Sequence, residues 1–155
     1  MEDILLSLVH IASVDAFQTW IYTDPDGGDA AARDDAWLRI RSRFERGVDW
    51  SGLETERIAR WYRQLHIFMY PFYYIEYGIA QLGALQIWRN SLKDQAGAVA
   101  RYREALAFGA VRTLPEMYRA AGARLTFDAE LVGELVQLVE EQIEQIRAQL
   151  PAAAA

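Results

Sequence analysis

The sequence predicts an all-α protein, a multi-helix bundle, and three observations carry that expectation. Apolar residues recur with a helical period along the whole chain. No run alternates apolar and β-branched residues with polar ones as a half-buried strand does. Each periodic stretch is bounded by Asp, Gly or Pro at positions that start or stop helices. A chain of 155 residues is long enough for one domain with a sizeable core. The expectation is a single helical domain over residues 1–150, with 151–155 a frayed tail.

The first helix is carried by Ile4, Leu5, Leu8, Ile11, Ala12 and Asp15, then Phe17, Trp20 and Ile21, and ends near Tyr22. The stretch from Thr23 to Asp29 holds Pro25 and the Gly27-Gly28 pair, the strongest turn signal in the chain. A second helix is expected from about Ala30 to Arg46 on the stripe Ala36, Trp37, Ile40 and Phe44, closed by Gly47. A third follows Asp49-Trp50-Ser51-Gly52 and runs from about Leu53 to Phe68 on Ile58, Trp61 and Leu65. Pro71 interrupts it and biases Tyr70 toward an extended conformation.

An apolar helix then resumes from Phe72 to about Leu92. Asp94 to Phe108 forms the next, closed by Gly109. Leu114-Pro115-Glu116 opens a short one that Gly122 ends, with proline at a tolerated first-turn position. Asp128 caps the last helix, whose stripe is Val132, Val136, Val139, Ile143, Ile146 and Leu150, and Pro151 stops it.

Composition excludes whole classes of function. The formal net charge of -6 argues against a nucleic-acid partner, because phosphate binding needs a basic footprint. The absence of cysteine removes disulfide scaffolds, thiolate zinc sites, iron–sulfur clusters and cysteine nucleophiles, and is compatible with a cytoplasmic location. Met1-Glu2-Asp3 is acidic where a secretory leader would be basic. The stretch from Ile67 to Trp88 carries one formal charge, Glu76, yet it also holds Pro71, Gln81 and Gln86. Such groups are costly in hydrocarbon, so it is expected to be buried in protein, with no membrane partner.

Few residues can carry chemistry. His10 and His66 are the only imidazoles, too few and too far apart for a zinc site, so no metal is expected in this chain. His10 falls on the apolar side of the first helix, where a structural role is expected. Glu140, Glu141 and Glu144 read as a solvated charge run. The segment His66 to Tyr77 stands apart, since Tyr70, Tyr73, Tyr74 and Tyr77 crowd four of the chain's eight tyrosines into it. On a helix, Tyr73 and Tyr77, and Tyr74 and Tyr77, would each share a face. Such a stripe can be core packing. It can equally be a set of phenol and imidazole donors aimed at a carbonyl or an oxyanion, because a buried tyrosine hydroxyl demands a partner that phenylalanine would not.

The block RQLHIFMYPFYYIEYGIAQLGALQIWRN, Arg63 to Asn90, resembles the C-terminal part of the oligoendopeptidase F-type zinc peptidases, relatives of thimet oligopeptidase. The similarity extends through Ala12 to Pro25, Gly47 to Glu54, Leu114 to Met117 and the closing helix. The resemblance implies the helical C-terminal part of an elongated peptidase with a deep channel that hydrolyses oligopeptides. The family's His-Glu-x-x-His metal motif has no counterpart here, as no His-Glu dipeptide occurs. Zinc in the complete family enzyme polarises the scissile carbonyl, and a glutamate takes the proton from its water. By resemblance, His66, Tyr74 and Tyr77 are transition-state donors on the facing wall, and Tyr70 and Tyr73 contact substrate. Met69 stands where an acidic residue is expected and His10 where an aromatic one is.

The resemblance thus implies a chain that supplies channel wall and donors to an oligopeptide-cleaving metallopeptidase and is inactive alone. Its partners would be the oligopeptide and a metal-bearing portion, or a second copy meeting the Phe72–Trp88 helix. A scaffold or self-association module, or one half of a split peptidase, is the alternative.

Overall fold

The computed structural model describes residues 1–45 and 47–150; the expected tail at 151–155 lies outside them. The described residues form α-helices and short 3-10 turns, with no strand among them. The helices are α1 Glu2–Thr23, α2 Ala30–Phe44, α3 Glu54–Ala59, α4 Leu65–Met69, α5 Ile75–Lys93, α6 Gln95–Ala107, α7 Leu114–Ala120 and α8 Ala129–Gln149. The chain divides into two compact units: Leu6–Gly78, and Met1–Leu5 with the chain from Ile79 onward.

Helix starts follow local chemistry. Asp29, Asp94 and Asp128 each turn a carboxylate back onto a backbone N–H of the first turn, at Ala32, Gly97 and Leu131. Asp24 does the same for the 3-10 turn Pro25–Gly28. Thr113 and Glu116 join at the start of α7. Gly109 and Gly122, beyond the ends of α6 and α7, take φ of 56° and 77°, where a side chain would be strained.

In the unit Leu6–Gly78 the core gathers Val14 and Phe17 of α1, Ala36, Trp37 and Ile40 of α2, and Trp61 and Ile67. Phe17 is its centre: its ring meets Trp37 and Trp61 edge-on, each with centroids 5.3 Å apart. α2 packs on α3. Trp37 donates its indole N–H to the carbonyl of Arg57, and Trp61 donates to Asp34, so both indoles are satisfied.

In the other unit α6 packs on α7. Gln86 is buried, and its amide both donates to the carbonyl of Arg124 and accepts from the Arg124 N–H, each at 2.9 Å. A polar group inside an apolar helix is thereby paid for with two backbone hydrogen bonds.

Three expectations need correction. The helix expected over Leu53 to Phe68 is three pieces, α3, a 3-10 turn at Arg60–Arg63, and α4. Asp34 draws Trp61 and Tyr62 together, Gln64 leaves helical geometry, and Ile67 rather than Leu65 enters the core. The helix expected from Phe72 starts only at Ile75, so Ile67 to Trp88 is not one continuous helix. On α8 the buried line is Leu131, Leu135 and Val139; Val132, Val136 and Ile143 flank it, and Ile146 and Leu150 are exposed. The apolar arc of α8 is wide, and its neighbours select which line is covered. By length and composition alone, α1 is the helix among the described residues long and apolar enough to cross a membrane. Its Val14 and Phe17 belong to the core just described.

Candidate functional site

The His66–Tyr77 segment is shaped by a turn rather than by a helix face. Pro71 cannot continue α4, and Tyr70 leaves it at φ -138°. The N–H of Tyr73 donates to the carbonyl of Tyr70 at 3.1 Å, closing a turn over Pro71 and Phe72. Proline second and a positive φ third is the pattern of a type II turn. That third position normally belongs to glycine, yet Phe72 occupies it at φ 61°. The ring of Phe72 rests on Tyr22 of α1, centroids 5.2 Å apart, which holds the strained residue in place. The chain then enters α5 through hydrogen bonds from Glu76 to Tyr73 and from Tyr77 to Tyr74.

This turn collects all the tyrosines singled out from the sequence around one imidazole. The His66 ring lies nearly parallel to Tyr73, at 5.9 Å and 8°. It meets Tyr74 and Tyr77 edge-on, at 4.9 Å and 5.7 Å, and Tyr70 at 6.1 Å. Tyr77 also contacts Tyr73 and Tyr74, with centroids 5.7 Å and 5.3 Å apart. The Tyr77 hydroxyl is 3.4 Å from His66 Nε2, a long hydrogen bond. The shared helix face expected for Tyr73, Tyr74 and Tyr77 is corrected here, since Tyr73 and Tyr74 precede α5.

The cluster is half open. Tyr70, Tyr73 and Tyr77 are exposed, whereas His66 and Tyr74 are half-buried. Burial, and then the neighbouring Tyr77, push the Tyr74 phenol above the ordinary tyrosine range, so at neutral pH it is a hydrogen-bond donor. Backbone anchoring comes from α1, where the buried Gln18 donates through Nε2 to the His66 carbonyl at 3.4 Å. His10 touches the cluster as well, its ring edge-on to Tyr74 at 5.7 Å. Neither Gln18 nor the strained Phe72 was legible as a site residue. Their signals, a buried amide in an apolar stripe and a residue following proline, are common in ordinary cores and turns.

Phenols and an imidazole converging from one side can donate hydrogen bonds to a carbonyl oxygen or to the oxyanion formed from it. They cannot hold a metal. Among the described residues no group of three or more His, Cys, Asp or Glu side chains is placed to ligate an ion, so the residues present do not fit zinc.

Comparison with known proteins agrees on one relationship. The model of peptidase family M3 matches residues 3–137. Among solved structures, PZ peptidase A with an inhibitor superposes with a TM-score of 0.83 and 31% sequence identity. The match covers 92% of this chain and 25% of that one, so the chain spans about a quarter of the length of that relative. No protein of curated function matches.

Proposed function

The chain belongs to peptidase family M3, and from that premise we propose that it forms the substrate-facing wall of an oligopeptide-cleaving metallopeptidase. The carrying observation is the convergence of Tyr73, Tyr74 and Tyr77 on His66 in a half-open cluster. In this reading Tyr74 and Tyr77, with His66, donate hydrogen bonds to the oxygen of the scissile carbonyl as negative charge grows there. Tyr70 and Tyr73, more exposed, contact the peptide. In such an enzyme a metal ion would supply an activated water, and the residues holding it, with the general base, would be others than those described. The described chain alone is therefore inactive.

The decisive variant is Tyr77→Phe in the complete enzyme. Losing one oxyanion donor typically costs about 2.7–4 kcal/mol of transition-state stabilisation. The expected outcome is a fall in kcat of about a hundredfold or more with KM little changed. A loss confined to stability, with kcat intact, supports instead a scaffold with no chemical part. For the chain alone, no turnover of an oligopeptide is expected with or without added zinc; chelator-sensitive turnover by the purified chain would overturn the assignment of metal and base elsewhere.

A further inference from the structure

A second concavity lies within the unit Leu6–Gly78. It encloses about 640 Å³, and Leu6, Val9, Phe44 and Val48 form its apolar wall. The remaining lining is polar: Arg41, Arg60 and Arg63 stand against one carboxylate, Glu45, with His10 and Gln64 beside them. In a chain of net charge -6 this is a local reversal of sign.

The arginines are not all engaged. Glu45 is nearly fully buried and its two oxygens are saturated: Oε1 accepts from Arg41 at 3.4 Å and Arg60 at 2.8 Å, and Oε2 takes the Trp50 indole at 3.2 Å with Arg57 at 3.6 Å. Arg41 is locked in place, donating to Ser13 Oγ at 2.6 Å and to His10 Nδ1 at 3.2 Å. Arg60 uses only Nη1 on Glu45. The Arg63 guanidinium makes no hydrogen bond or ion pair among the described residues. Unused guanidinium N–H groups beside an apolar wall match one chemistry, because a guanidinium takes a carboxylate through paired hydrogen bonds and the wall takes the carbon body.

We propose that this cavity binds the carboxylate of an organic acid with an apolar body, with Arg60 and Arg63 taking the carboxylate and Leu6, Val9, Phe44 and Val48 the body. The form in which a peptidase meets such a group is the C-terminal residue of a peptide. That identification rests on the function proposed above; the carboxylate site itself does not. His10 is the built-in reporter. Burial first, then the charges of Arg41 and Arg60, hold its imidazole below the ordinary histidine range, and an anion placed among these arginines raises it again.

The test is an NMR titration of the full chain, whose two histidines give two imidazole signals; His66 signals that shift as much as those of His10 would put the acid at the tyrosine cluster and overturn the site. N-acetyl-leucine is expected to shift the His10 signals saturably and raise the pH at which they titrate, while N-acetyl-leucine amide does not. Arg63→Gln, at an exposed position, should weaken binding about tenfold with an unchanged circular dichroism spectrum. No saturable shift, an equal response to the amide, sulfate binding as tightly as the acid, or unaltered affinity in Arg63→Gln overturns the site. An N-acetylated tripeptide acid ending in leucine that binds at least as tightly as N-acetyl-leucine supports the peptide source. Its failure where N-acetyl-leucine binds overturns that identification. None of these readouts involves turnover, so this proposal and the role of Tyr77 stand or fall separately.

Discussion

His10 shows how one side chain acquires its chemistry from neighbours distant in sequence. Arginine can only donate, so Arg41 makes Nδ1 of His10 an acceptor, and the ring proton of the neutral imidazole sits on Nε2. Burial and the charges of Arg41 and Arg60 favour the neutral ring, against the smaller opposing influence of Gln64 and Glu45. The consequence for stability has a definite sign. A histidine held below its unfolded pKa contributes fully above about pH 6.5 and loses that contribution as the unfolded chain takes up its proton on acidification. Thermal melts between about pH 7 and pH 5 should therefore show falling stability, and His10→Gln should flatten that slope. A slope unchanged in the variant would place the titrating group elsewhere. Asp15 works in the opposite direction and lower on the pH scale. Burial raises its carboxyl pKa, so ionising it costs stability that acidification returns.

Among the elements, the turn between α4 and α5 matters most for the candidate site. If Phe72 were helical, replacing it by alanine would be better than by glycine by about 1 kcal/mol. At φ 61° the order reverses. Both variants lose the ring contact with Tyr22, but only glycine relieves the left-handed strain, so Phe72→Gly should be the more stable by about 1 kcal/mol. Chemical denaturation of the two variants decides it, and alanine coming out ahead would return Tyr73 and Tyr74 to a helix. The same turn explains why five site residues converge, since a straight helix from Phe72 would spread Tyr73, Tyr74 and Tyr77 along its axis and leave Tyr70 behind.

For the whole molecule, the exposed apolar surface is the feature with the largest expected effect. Leu65, Phe68, Met69 and Tyr70 are each more than half exposed, and Phe72 and Tyr73 nearly so. Self-association is expected through Phe72–Trp88, and within that span Phe72, Tyr73 and Tyr77 are exposed, continuing the exposed side chains that precede it. Exposed apolar surface of this kind promotes association when uncovered. The isolated chain should therefore run as dimers or larger species in sedimentation velocity, and Phe68→Ser with Met69→Ser should shift it toward monomer. A monodisperse wild-type monomer at high concentration would show that this surface needs no cover.

The sequence alone determined what short-range chemistry can determine. Period 3.6 specifies helices, and Asp29, Asp94, Asp128, Pro25, Gly109 and Gly122 mark their ends, because capping and left-handed backbone depend on residues a few positions apart. The density of tyrosines around His66 was equally visible, and it singled out the cluster before any geometry. Tertiary structure alone decided how those tyrosines meet and what surrounds His10. Asp34 breaks the expected third helix by drawing in Trp61 and Tyr62, Phe72 takes a conformation no local preference assigns to it, and α8 buries Leu131 and Leu135 beside the expected Val139. His10, Arg41 and Gln64 come from three separate stretches of the chain. Each of these outcomes is set by hydrogen bonds and packing between distant residues, and periodicity carries no information about which distant residues will meet.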